Sequence, residues 1–263
     1  MSESSGPDVH KVGFITPPAW LDISPVEFLR IAPPGTVVTQ TLMRPPDFDY
    51  SLEHIRSAVP ELTACARSLA AAGVDVIAQF GYPFSFVHGW DGALQVRENI
   101  ESAIKRPFVM MGIEVIQALR HLKLQNVAIA ATYYSEETAR VLKLFLSQAG
   151  FNVSLVETWQ SLGLVKAGSR GPFVGEGELD PMDWKIPRWA VDESLRRVAQ
   201  KAPGIDVILV SGGGVRLLDL AADMERELGK TVAGGDISLY RGILRALGVN
   251  TAVAGHGRLL ASL

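Results

Sequence analysis

A nine-residue phrase occurs twice in this chain. Gly73-Val-Asp-Val-Ile-Ala-Gln-Phe-Gly81 is echoed by Gly204-Ile-Asp-Val-Ile-Leu-Val-Ser-Gly212. Each copy is a short apolar run, rich in Val and Ile, that stops at glycine, the pattern of a strand buried on both faces. In open α/β sheets, ligands sit just past the carboxyl ends of the strands. The repeat therefore predicts two equivalent loops across one cleft, Gly81-Tyr82-Pro83 and Gly212-Gly213-Gly214. Neither loop contains a cysteine, a histidine or an acid.

The duplication extends beyond the phrase. His10-Lys-Val-Gly-Phe-Ile-Thr16 resembles Gln125-Asn-Val-Ala-Ile-Ala-Ala-Thr132, and both read as first strands. Arg106-Pro-Phe-Val-Met-Met-Gly112 resembles Lys230-Thr-Val-Ala-Gly-Gly235, each a short strand leading into a helix, over 113–122 and 237–247. Apolar residues at helical period predict helices over 51–72 and 136–149, and further helices are read over 192–199 and 215–228. Strands alternating with helices imply parallel sheets joined by right-handed crossovers. The expected fold is α/β: two pseudo-symmetric, flavodoxin-like parallel-sheet halves with the ligand cleft between them. Residues 10–118 together with 237–263 form the first half, and residues 119–236 the second. Residues 167–188 break the symmetry with four Gly and three Pro, and read either as a binding loop or as a packed surface excursion.

A formal net charge of −3 gives no reason to expect nucleic acid or an anionic membrane as partner. The apolar runs are too short to span a bilayer, and residues 1–9 lack the apolar core of a signal peptide. A single cysteine, Cys65, rules out an internal disulfide and fits a cytoplasmic setting. It falls mid-helix and reads as a buried structural thiol. His10, His54 and His121 show no metal-ligand spacing, so no metal is expected.

The loops supply the chemistry. Gly212, Gly213 and Gly214 offer backbone N–H groups that could cradle a carboxylate at the start of a helix at 215, or they form a sharp turn that needs positive φ. The loop is neither a Walker loop nor a dinucleotide fingerprint. Tyr82 can donate to an oxyanion, whereas Pro83 has no N–H to give. His88 either titrates near neutrality as an acid or base, or packs as a structural residue. Thr132-Tyr133-Tyr134 follows the first strand of the second half, with one tyrosine expected in the cleft and the other packed. Pro17 stiffens the matching loop of the first half. Ser211 is a further candidate for proton transfer.

Val12-Gly-Phe-Ile-Thr-Pro-Pro-Ala19, Gly81-Tyr-Pro-Phe-Ser-Phe-Val-His-Gly89, Ala131-Thr-Tyr-Tyr134 and Asp206-Val-Ile-Leu-Val-Ser-Gly-Gly-Gly214 together resemble the aspartate/glutamate racemase superfamily. Met224-Glu-Arg-Glu-Leu-Gly229 and Ala254-Gly-His-Gly-Arg-Leu-Leu260 extend the resemblance. Within it, the likeness is to arylmalonate decarboxylases first and maleate cis-trans isomerases next. The resemblance implies a cofactor-independent lyase or isomerase acting on a small carboxylic or dicarboxylic acid through an enolate-like anion held in an oxyanion hole. It leaves assembly into a homo-oligomer open. Superfamily racemases use two cysteines, one per half, and the decarboxylases keep the second. Their positions match Gly81 and Gly212, so both thiols are gone. The resemblance places the tyrosine donor at Tyr134 and a backbone donor at Gly213, while a Thr-Ser pair becomes Tyr82-Pro83. What it implies is a carboxylate cradle without its usual acid. The alternative is a carboxylate-binding paralogue that catalyses nothing.

Overall fold

The computed structural model describes residues 9–20, 22–165, 169–170, 173–174 and 186–263. The chain begins with β1 (Lys11–Thr16), α1 (Ser24–Phe28), β2 (Val37–Leu42), α2 (Leu52–Ser57) and α3 (Val59–Ala71). It continues with β3 (Val76–Gln79), α4 (Pro83–Phe86), α5 (Gly89–Ile104), β4 (Phe108–Met110) and α6 (Met111–His121). The same order then recurs: β5 (Asn126–Thr132), α7 (Glu136–Gln148) and β6 (Asn152–Thr158). A small antiparallel pair, β7 (Ser169–Arg170) and β8 (Phe173–Val174), precedes α8 (Arg188–Lys201) and β9 (Val207–Val210). The chain closes with α9 (Ala221–Leu228), β10 (Thr231–Gly234), α10 (Gly235–Ala246) and α11 (Arg258–Ala261).

Two four-stranded parallel sheets result, ordered β2-β1-β3-β4 and β10-β9-β5-β6. Read from the β6 edge, the second repeats the first, so the two copies of the repeated phrase become the equivalent strands β3 and β9. Both are fully buried along their length because helices cover both faces, which explains their unbroken apolar sequence. In each sheet the strand order reverses between the first strand and the strand of the phrase, at β1/β3 and β5/β9. That reversal opens a crevice at the carboxyl ends, the usual ligand position of such sheets. The halves meet through α4 and α5 against α7, and α10 packs on α6, β3 and β4.

Local structure departs from the sequence expectation in three places. The helix expected over 51–72 is two, α2 and α3, divided at Ala58 because Pro60 sits in the first turn of α3 and has no N–H to extend the preceding helix. The helix expected from 215 begins only at Ala221. The intervening chain is held open: the Leu217 N–H donates to Asp236 Oδ2 at 2.7 Å. The loop expected after Gly81 is instead a helical turn, α4, entered directly through Tyr82 and Pro83. Of residues 167–188, only the β7–β8 pair and residues 186–188 are among those described. Among the described residues, no helix is long and apolar enough to cross a membrane.

Candidate active site

The two crevices converge on a small, partly open cavity. Pro17 and Trp20 reach it from the loop after β1, Gly81 and Pro83 from the turn after β3, and Tyr133 and Tyr134 from the end of β5. Tyr50, Phe80, Phe84 and Gly213 complete its wall, which is therefore largely aromatic. A second, smaller void shares Phe80 and Gly213 with the first. Tyr82, Gly212 and Asp236 line this second space.

An aromatic chain positions the tyrosines. Tyr82 meets Phe86 edge-on at 5.5 Å between centroids, Phe86 meets Tyr134 at 6.1 Å, and Tyr134 meets Tyr133 at 5.5 Å. Such edge-to-face contacts fix ring orientation. Tyr133 donates to the Gly213 carbonyl at 2.7 Å, pinning the glycine loop, and its ring lines the cavity as well. Both tyrosines thus reach the cavity, where the sequence suggested one. Tyr82 and Tyr134 are 3% and 1% exposed, and among the described residues neither hydroxyl makes a hydrogen bond of ordinary geometry. The Ser211 hydroxyl lies beside that of Tyr134 and acts on it as a hydrogen-bond partner, though the two are poorly aligned. Burial pushes both phenols well above their usual range, so they stand as neutral donors. Among the described residues the Tyr82 hydroxyl is left unmatched, and an unmet buried polar group costs about 1–3 kcal/mol.

Gly81 and Gly212 hold the positions where the sequence resemblance places thiols, and both have backbones that only glycine adopts readily, with φ of +109° and +144°. A Cβ on Gly81 would lie 2.9 Å from Pro17 Cγ. A Cβ on Gly212 would collide with Thr132 Oγ1 and come within 3.0 Å of the Tyr133 ring. Thr132 is itself held at φ +48°, an uncommon state for a β-branched residue, with its hydroxyl donating to the Ser211 carbonyl. Thr132 therefore supports the glycine loop from behind. Gly214 packs against Trp20 and Ile186. His88 stands apart: it lines a separate groove with Arg56 and Gln148 between α5 and α7, and burial lowers its pKa. The structure thus places His88 outside the two cavities that gather the tyrosines and the glycine loop.

Sequence reasoning missed a buried ionic cluster beneath the glycine loop. Arg216 lies over the Phe80 ring at 5.7 Å and reaches Ser24 Oγ at 3.0 Å and Asp22 Oδ1 at 3.4 Å. Glu27 sits 3.7 Å from the same guanidinium and accepts from the Tyr240 hydroxyl at 2.6 Å. Three carboxyls, of Asp22, Glu27 and Asp236, surround this one cation, and a buried excess of negative charge is relieved by keeping a proton. Burial and Glu27 raise Asp236 to about 7. The only hint in sequence was position: Asp236 opens the helix after β10, at the carboxyl edge of the sheet.

The duplicated sheets and the cleft at their paired switch points define an α/β protein of the aspartate/glutamate racemase superfamily. The arylmalonate decarboxylase family model matches residues 12–169 and 179–260, and the chain belongs to that family. It is 27% identical over 267 residues to arylmalonate decarboxylase of Bordetella bronchiseptica, covering 98% of each sequence. Its fold resembles a liganded Gly-to-Cys, Cys-to-Ser double mutant of arylmalonate decarboxylase, with a TM-score of 0.79 and 22% identity over 95% of this chain and 98% of that one. It also resembles the maleate isomerase Iso of Pseudomonas putida S16, with a TM-score of 0.80 and 17% identity over 96% and 98% of the two chains. Family membership supports an enzyme of decarboxylase or isomerase type.

Proposed function

We propose that this protein is a cofactor-independent enzyme acting on a small carboxylic or dicarboxylic acid, of the malonate type, through an enolate-like anion. The observation that carries this reading is the group of buried hydroxyls beside an aromatic cavity: Tyr82, unmatched among the described residues, and the poorly aligned pair Tyr134 and Ser211. Donors fixed in a dry site stabilise charge developing on a carboxylate better than water does, because they need no reorganisation. In this reading Tyr134, Tyr82 and the Gly213 and Gly214 N–H groups bind the carboxylate that becomes the enediolate. The second carboxylate lies against the apolar wall formed by Pro17, Trp20, Pro83 and Phe84, where loss of carbon dioxide removes a poorly solvated charge. The apolar substituent of the substrate occupies the rest of that wall.

No thiol is present to reprotonate the carbanion, since Cys65 is buried far along the chain in α3. A second reading, a carboxylate binder that does not catalyse, is favoured by the glycine backbones at 81 and 212, which leave no room for a side chain. The test is carbon dioxide release from substituted malonates, with solvent deuterium incorporation at the α-carbon of the product and maleate offered alongside. Turnover abolished by Tyr134→Phe supports the enzyme. A ligand-induced thermal shift with no turnover and no exchange supports the binder. No shift and no turnover with any of these acids would sink both readings.

A further inference from the structure

Among the described residues, Asp236 is the one acidic side chain that lines either cavity. It opens α10 at the carboxyl edge of β10 and faces the space bounded by Tyr82, Gly212 and Gly213. It is 4% exposed. One oxygen, Oδ2, is taken by the Leu217 N–H at 2.7 Å, which fixes the carboxyl and draws the glycine loop toward it. A second, independent feature points into the same space: the Tyr82 hydroxyl, fully buried and without a partner among the described residues. A protonatable carboxyl and an unmet donor thus flank Gly212, the position the resemblance assigns to the second-half thiol.

We infer that Asp236 is the acid that replaces the missing thiol, delivering a proton to the substrate α-carbon from the Gly212 side; this rests on the enzymatic reading given above. The balance is simple. The bond between the α-carbon and one carboxylate breaks, carbon dioxide leaves, and its electron pair remains on the enediolate. That pair takes the proton of the Asp236 carboxyl, forming the C–H bond and leaving Asp236 as a carboxylate, which water then reprotonates. The groups that face Asp236 set how readily it does so. Glu27 from α1 favours the protonated form, and Arg216 and the Leu217 and Ile237 N–H groups favour the ionised form. Tyr240 on α10 is uncharged, because burial and the neighbouring carboxyls hold its proton, and Tyr82 is a neutral donor for the same reason of burial. Asp22 completes the cluster through its contact with Arg216. With these opposing influences Asp236 is poised near neutrality, where a general acid is most effective.

Asp236→Asn is the appropriate variant, because an amide oxygen still accepts from Leu217 and the loop keeps its anchor. With phenylmalonate as probe, kcat is expected to fall roughly 100-fold or more, the usual span of general acid catalysis, while KM holds. Asp236→Glu is expected to recover part of the rate. Binding of phenylacetate near pH 7, followed by calorimetry in buffers of differing ionisation enthalpy, should take up protons in the wild type and not in Asp236→Asn. Wild-type turnover that survives Asp236→Asn within about threefold would overturn Asp236 as the acid and leave the enzymatic reading standing. If the wild type binds phenylacetate but turns over no malonate, the enzymatic reading fails and the proposed proton delivery falls with it. The uptake measurement would then still show whether Asp236 faces the ligand.

Discussion

Replacing Gly212 with alanine probes how deeply the loss of the thiol is built into the backbone. At φ +144° an L side chain is strained, at an order of 1–3 kcal/mol. The new methyl would also press on Thr132 Oγ1 and the Tyr133 ring, and overpacking of a rigid wall costs about 1–3 kcal/mol more. The neighbours cannot yield cheaply, because Thr132 is bonded to the Ser211 carbonyl and Tyr133 to the Gly213 carbonyl. Gly212→Ala is therefore expected to destabilise the protein by about 2–5 kcal/mol, read from urea denaturation at constant m-value. Thr132→Ala should relieve the collision while leaving the dihedral strain. In a double-mutant cycle the pair should show a coupling of about 1–3 kcal/mol. A loss below about 0.5 kcal/mol for Gly212→Ala, or additive effects of the two changes, would refute this account of the loop. The same reasoning applies to Gly212→Cys: a thiol introduced alone carries the backbone cost, and decarboxylation gained through it is expected only with Thr132 reduced as well.

Tyr134→Phe should abolish turnover while changing the stability of the unliganded protein by less than about 1 kcal/mol, since its hydroxyl is poorly aligned with Ser211; a loss above about 2 kcal/mol in urea would mean the hydroxyl is a structural anchor instead. Asp236 and Glu114 have folded pKa values raised to about 7 and about 6. Their contribution to stability is thus fully present below the ordinary carboxylate range and is lost as pH rises through about 4 to 7. Asp236→Asn should flatten that fall in a series of denaturation midpoints against pH, and parallel curves for variant and wild type would contradict it. Arg216→Leu should cost about 3–5 kcal/mol near neutral pH by stranding Asp22 and Glu27, and less as pH falls, because burial raises Glu27 and favours its protonated form. His88→Gln should leave the pH profile of turnover unmoved, because His88 lines the groove between α5 and α7 rather than the cleft.

The strands that build the site were legible because burial on both faces writes an uninterrupted apolar run, as in β3 and β9. The edge strands β2 and β6 were not, since both are partly exposed along their length and lack that run. Helix α5 was hidden for a similar reason, with only Ala93, Ile100 and Ile104 buried in sixteen residues. At the site, the loop glycines and Tyr134 follow strand ends and could be found by position. Asp236 and Arg216 could not, because their chemistry arises from pairing with Asp22 and Glu27, about 190 to 215 residues earlier in the chain. A burial-driven pKa belongs to a three-dimensional neighbourhood and leaves no spacing to read.

The contacts of α1 bear on how the cleft can open. Arg30 pairs with Asp219 through both guanidinium nitrogens, Arg216 binds Ser24 and Asp22, and Tyr240 binds Glu27. All three tie α1 and the residues flanking it to the chain after β9 and to α10, along one rim of the crevice. Parting the crevice along that rim would strand the buried carboxyls of Asp22 and Glu27 away from Arg216, so charge itself holds that edge shut.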